Sequence, residues 1–233
     1  MKPIDVPLSE VKDIHEGALL LVDKPLKWTS FDVVNKIRYF LKKELNTGKI
    51  KVGHAGTLDP LATGLLVVCI GKYTKRIAEV QEQKKEYTGT MILGATTPSF
   101  DRETEIDNTF PIENITADAI LDAARLFEGE IEQIPPSFSA VKIDGVRAYK
   151  KARENKVVKL KTRIIKINSF HIEKIQVPDI EFIVSCSTGT YIRSLVNDFG
   201  KKLNNGAYLN SLVRTRIGKF QLKNAWRLDD LLH

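Results

Sequence analysis

Residues 53–64 read Gly53-His54-Ala55-Gly56-Thr57-Leu58-Asp59-Pro60-Leu61-Ala62-Thr63-Gly64, and Leu65-Leu66-Val67-Val68-Cys69-Ile70 continues them without a polar interruption. Glycine opens backbone conformations closed to other residues and lets a ligand approach the chain closely. Pro60 fixes its own φ and biases Asp59 toward an extended conformation, so the carboxylate is presented on a stiffened loop. The apolar run has strand length and is closed by Gly71, which predicts a buried strand tying the loop to the core. Taken one residue at a time, the same string is also an ordinary turn, because Gly, Pro, Asp and Thr are common turn residues. Both readings stand until more of the chain is considered.

Upstream of the loop, Thr29 and Ser30 are candidate helix caps, and Phe31, Val34, Ile37, Phe40 and Leu41 recur at helical spacing. Downstream, Tyr87 to Leu93 alternates as a half-buried strand, and Thr116 to Phe127 reads as an amphipathic helix capped by Thr116 and stopped at Gly129. Arg163 to Ile172 and Ile180 to Ser187 are β-rich runs separated by Pro178-Asp179, hence neighbouring strands. Tyr191 to Leu203 places Ile192, Leu195, Val196, Phe199 and Leu203 on one helical face, with Arg193 in the first turn on another, free to point into a cleft. Residues 98–114 are polar and turn-rich, with Asp101, Glu103, Glu105 and Asp107 forming an acidic stretch, and are expected to be a mobile loop. Strands interleaved irregularly with helices predict an α+β fold.

The chain has 233 residues, enough for one large domain or two small ones. Lysine and arginine total 36 against 29 aspartates and glutamates, a net charge of +7 that suits an anionic partner. Cys69 and Cys186 stand far apart without a CxxC, so neither a disulfide framework nor a zinc knuckle is expected. No apolar stretch resembles a signal peptide or reaches bilayer-spanning length, and a soluble cytoplasmic protein without membrane contact is expected. His15, His54, His171 and His233 are scattered without ligand spacing, so no metal site is predicted. Gly71-Lys72 is followed by Tyr73, and Leu66 stands where a phosphate-binding loop needs its first glycine, which excludes a Walker site.

The loop at 53–64 resembles the catalytic loop of the TruB family of bacterial tRNA pseudouridine synthases, whose pattern is G-H-x-G-x-L-D-P-x-A-x-G; every fixed position is filled. Further matches occur at family-like order and spacing: Leu21-Val22-Asp23-Lys24-Pro25, Lys85-Glu86-Tyr87 and Gly189-Thr190-Tyr191-Ile192-Arg193. Ile134 to Lys142 and Leu212-Val213-Arg214-Thr215 add to them. The resemblance covers nearly the whole chain. It implies the pseudouridine synthase fold, a bent, mostly antiparallel sheet flanked by helices and loops, in a single catalytic domain over residues 1–233. Many family members continue into a C-terminal PUA domain, which is expected to be absent here.

By the same resemblance, the chain isomerises the T-loop uridine of tRNA, position 55, to pseudouridine. The base is detached at N1, turned and rejoined through C5, with no redox change and hence no cofactor. Asp59 would be the essential catalytic carboxylate, a group able to act as nucleophile or as base beside a developing oxocarbenium ion. Arg193 resembles the family arginine that pairs with this aspartate, and such a partner keeps a carboxylate ionised. Tyr87 resembles the tyrosine that packs against the target base and assists proton removal at C5. A folded RNA hides its bases, so the nucleotide must be flipped out; His54 resembles the residue that fills the space left behind. Lys24 and Lys75 are expected to contact RNA, and Tyr191 to support the pocket. Lys150, Lys151, Arg153, Lys156, Lys159, Lys161 and Arg163 form a basic stretch suited to phosphates. The partner is therefore the tRNA T stem-loop, met by a stand-alone monomer without guide RNA. The competing reading is an RNA-binding protein or folding chaperone that opens the tRNA elbow without isomerising it.

Overall fold

The computed structural model describes residues 2–11, 13–139, 141–143, 145–154 and 160–233. Lys156 and Lys159 of the basic stretch lie outside the described residues. The chain forms two compact units: the residues up to Tyr87 together with Leu212–His233, and Thr88–Ser211.

The first unit is built around the apolar run. Strand β1 spans Ala18–Lys24, helix α1 Ser30–Lys43, β2 Val52–His54, β3 Ala62–Ile70 and β4 Lys85–Leu93, the last crossing into the second unit. β3 is central: β1 and β2 pair with it antiparallel, and residues 212–214 pair with it in parallel. As expected, β3 is buried on both faces, and its alternation sorts the side chains into two clusters. Leu66, Val68 and Ile70 join Leu20, Val22, Val34 and Ile37, while Leu65, Val67 and Cys69 join Leu19, Leu21 and Ile217. Each such fully buried aliphatic contributes about 1.5–3 kcal/mol. Burial also pushes the Cys69 thiol up to about 11, consistent with a core residue.

α1 begins with a capping box, in which the Thr29 hydroxyl accepts from the Asp32 N–H and the Asp32 carboxylate accepts from the Thr29 N–H. Its buried face is Val33, Val34, Ile37 and Leu41. Phe31, which the spacing placed on that face, is 57% exposed and lies under the Arg38 guanidinium. Ser30 and Val33 of the same turn are buried, so the buried stripe runs through Ser30, Val33, Val34, Ile37 and Leu41 and Phe31 lies at its edge.

The second unit carries a hairpin, Arg163–Gln176 against Asp179–Cys186, with Gly129–Gln133 antiparallel on its other side. Helix Ala117–Arg125 is capped by the Thr116 hydroxyl as the sequence indicates, and helix Ile192–Lys202 is almost wholly buried. Phe127, Phe170, Phe182 and Phe199 form an edge-to-face aromatic core with ring centroids 5.6–6.4 Å apart. Antiparallel pairings predominate in both units, with helices on the sheets, which is the expected α+β architecture. Among the described residues no helix is long and apolar enough to cross a membrane.

Candidate catalytic loop and its supports

The loop between β2 and β3 is fixed on each side of Asp59. Before it, the Leu58 N–H donates to the Ser30 hydroxyl at 2.8 Å, and that hydroxyl donates to the Leu58 carbonyl at 3.2 Å. After it, the Pro60 carbonyl accepts the Lys27 N–H at 2.8 Å and the Lys24 ammonium at 3.5 Å. The Asp59 carbonyl itself accepts from the Ala62 N–H at 3.1 Å. Asp59, itself partly exposed, thus sits on a backbone that is hydrogen-bonded at three consecutive residues. Such prior ordering places a reacting group without a further entropic cost at the moment of reaction.

Lys24 is placed differently from its expected role as an RNA contact. It has no exposed surface. Its ammonium donates to the carbonyls of Pro25 at 2.9 Å and Trp28 at 2.6 Å as well as to Pro60. Burial pushes the Lys24 pKa down from 10.5 to about 8; the nearby Asp59 carboxylate opposes the shift and the Arg214 guanidinium adds to it. Lys24 therefore braces the loop from beneath. A lysine is rarely enclosed without partners, and here backbone carbonyls provide them.

Arg214 is the residue that sequence reasoning passed over. The sequence offers it only within Leu212-Val213-Arg214-Thr215, yet it is 1% exposed. Its guanidinium donates to the carbonyls of Leu65 at 2.8 Å, Gly56 at 3.0 Å and Thr57 at 3.4 Å. The signal was present in the alternation of its strand, where Leu212 and Arg214 share the inward phase. In register, Lys24 lies opposite Gly64 on one side, and Arg214 lies opposite Gly64 on the other. Gly64 has φ +97°, and a Cβ there would lie 2.5 Å from the Arg214 carbonyl oxygen. Only glycine lets the Arg214 backbone approach β3 this closely.

His54 ends β2, half-buried. Its imidazole is held below the usual range, first by burial and then by the Arg214 guanidinium, with a backbone hydrogen bond to Gly56 opposing. It is thereby biased toward the neutral form. Lys75 is exposed in the short helical segment Gly71–Arg76, and Tyr87 is buried near the start of β4. The first unit thus holds Asp59, His54, Lys24, Lys75 and Tyr87.

Tyr191 and Arg193 belong to the second unit. The Tyr191 N–H donates to the Gln133 side chain at 2.8 Å, and the Gln133 amide donates back to the Tyr191 carbonyl at 3.1 Å. The Arg163 guanidinium lies 5.5 Å from the centroid of the Tyr191 ring. Arg193 is 3% exposed, so it is not a surface arginine. It donates to the carbonyls of Phe138 at 2.9 Å and Ser99 at 3.2 Å, and its Nε stands 3.5 Å from Asp101. The residues around Asp101 correct the expectation of a mobile loop. Ser99 is fully enclosed and Asp101 is 5% exposed, while residues 102–110 remain largely outside. The acidic composition suggested solvation, but burial of Arg193 draws one of those carboxylates inward.

Among the described residues no group of three or more His, Cys, Asp or Glu is placed to hold a metal ion.

Comparison with known proteins gives a consistent set of likenesses. The sequence pattern of the TruB family pseudouridylate synthase (N terminal domain) matches residues 42–192. The tRNA pseudouridine synthase B of Flavobacterium johnsoniae is 56% identical over 211 residues, covering 90% of this chain and 92% of its own. That of Phocaeicola vulgatus is 55% identical over 212 residues, covering 91% and 90%. Among solved structures, a Cbf5-Nop10-Gar1 complex matches with a TM-score of 0.72 at 30% identity, over 99% of this chain and 60% of that one. An H/ACA RNP bound to a substrate RNA containing 2'-deoxyuridine gives 0.68 at 28%, over 100% and 59%. The chain thus spans less than two thirds of each of these two solved chains.

Proposed function

Because the chain belongs to the TruB family of pseudouridylate synthases, we propose that it converts the T-loop uridine of tRNA, position 55, to pseudouridine. It acts as one catalytic domain, a cytoplasmic monomer working without cofactor or guide RNA. The relatives named tRNA pseudouridine synthase B support tRNA as the substrate. The observation that carries the reading is the backbone on either side of Asp59, hydrogen-bonded at Leu58, Asp59 and Pro60. A turn that merely reversed the chain would not need the backbone on both sides of its aspartate held this firmly.

In the proposed reaction the nucleotide is flipped from the RNA, and the bond from N1 to the sugar is broken. The base then turns within the pocket, rejoins through C5, and the proton from C5 is released as N1 gains one. Asp59 is the catalytic carboxylate. Attack on the base, attack on the sugar carbon and removal of the 2′ proton all begin with that group ionised. Tyr87 and Arg193 complete the catalytic set; His54 fills the space of the flipped base, Lys75 contacts RNA and Tyr191 supports the pocket. Lys24 serves the RNA site through the loop that it braces.

The test is tritium release from C5-labelled uridine in an unmodified T-loop transcript, with Asp59→Asn alongside the native chain. The native chain is expected to release tritium, and Asn, nearly isosteric but never ionised, to bind the transcript within several-fold without releasing it. Release by Asp59→Asn near the native rate would refute the assignment.

A further inference from the structure

Lys24, Gly64 and Arg214 sit side by side on three adjacent strands, and both cations reach the carbonyls of the loop that carries Asp59. The two do different work. Lys24 holds the segment after Asp59 through Pro60, and Arg214 holds the segment before it through Gly56 and Thr57, while anchoring itself on Leu65 of β3. We infer that Arg214 is a positioning residue for the reaction: its planar guanidinium fixes residues 56–57 against β3 and so sets where the Asp59 carboxylate stands. This rests on the reading of Asp59 as the catalytic group.

Three features favour that role over simple filling of the core. A core-filling side chain need not end in several N–H donors, and all three acceptors here are backbone carbonyls that other side chains cannot replace. Gly56 has φ +101°, one of many conformations open to a glycine, so the guanidinium hydrogen bond to its carbonyl selects among them. Arg214 also biases its neighbour His54 toward the neutral form. A lysine at 214 would keep the charge, but it lacks the rigid fork that reaches Leu65, Gly56 and Thr57 together.

The experiment measures kcat, KM for the T-loop transcript and Tm for Arg214→Lys, with Asp59→Asn in parallel. The lysine variant is expected to lose roughly 30–100-fold in kcat, as a displaced catalytic group does. KM should stay within about threefold, the pattern of a lost transition-state contribution rather than lost RNA binding. A kcat within about threefold of the native value, or a rise in KM matching the fall in kcat, overturns the inference. If Arg214→Lys does not fold, Arg214→Ala is assayed with added guanidinium or ammonium. Recovery with guanidinium alone supports the role, and equal recovery or none overturns it. An active Asp59→Asn would instead bring down the underlying reading, and an inactive one with a fully active Arg214→Lys would bring down the positioning role alone.

Discussion

Lys24→Met replaces a buried cation with an uncharged side chain of nearly the same length, takes the ammonium donor from the Trp28 carbonyl and leaves the Pro25 carbonyl only the Trp28 N–H at 3.4 Å. The cost is about 1–3 kcal/mol for each carbonyl that water cannot reach. Against it stands the relief of no longer enclosing a charge. The Lys24 pKa falls from 10.5 to about 8 in the folded chain, and such a shift of roughly 2.5 units makes the charged form about 3 kcal/mol harder to hold folded than unfolded near pH 7. The two contributions are of similar size, so a single measurement at neutral pH would decide little. The pH dependence decides more. Between about 8 and 10.5 the folded chain has released the Lys24 proton while the unfolded chain keeps it, so this group raises stability as pH rises. From roughly pH 7 to roughly pH 9.5 the gain is about 2 kcal/mol. The neutral amine still has two N–H donors, which match the shorter bonds to Pro25 and Trp28. Urea denaturation of the native chain and of Lys24→Met at both pH values isolates the effect, because the other titrating groups cancel in the difference. The native chain is expected to gain about 2 kcal/mol relative to the variant on going to the higher pH. A difference that is flat with pH, or one that shrinks, would refute the account of Lys24 as a buried, desolvated cation.

Gln133→Ala removes both side-chain hydrogen bonds to the Tyr191 backbone at the start of helix Ile192–Lys202, leaving its carbonyl with the Leu195 N–H at 3.1 Å. Calorimetry is expected to show a loss of about 2 kcal/mol, or roughly 4–8 °C in Tm for a chain of this size; an unchanged melt would mean that the pair carries no weight. Asp101→Asn keeps the shape beside Arg193 but removes the charge 3.5 Å from its Nε. It is expected to cost about 1–3 kcal/mol in the same assay, and a variant as stable as the native chain would show that Asp101 is not a working partner.

What the sequence reveals and what it hides divide along a physical line. The loop at 53–64, the buried strand after it and the caps at Thr29 and Thr116 were legible because each depends on residues within a few positions of one another. Arg193 was legible as a candidate through its motif, but its enclosure was not. Its partners Ser99 and Asp101 come from a segment whose composition resembles a solvated loop, and its third partner, Phe138, from a separate stretch. Phe31 misled in the opposite direction, since apolar spacing groups it with Val34 and Ile37 although the face that is buried is centred on Ser30, Val33, Val34, Ile37 and Leu41.

The pairing of Lys24 and Arg214 across Gly64 was the least legible feature, because it joins segments 40 and 150 residues apart through strand register. Charge statistics predict both side chains outside. A loop rich in glycine and proline reverses that expectation. Its backbone pairs with itself only in part, as where the Ala62 N–H donates to the Asp59 carbonyl, so other carbonyls need donors from elsewhere. A main-chain N–H supplies one at Lys27. Long cationic side chains supply the rest, Lys24 at Pro60 and Arg214 at Gly56 and Thr57. Gly64, near the point where the loop becomes β3, contributes by close approach of backbones, since a Cβ there would lie 2.5 Å from the Arg214 carbonyl oxygen. The absence of that Cβ lets the strand that carries Arg214 pair with β3 at the position from which the guanidinium reaches back to the loop.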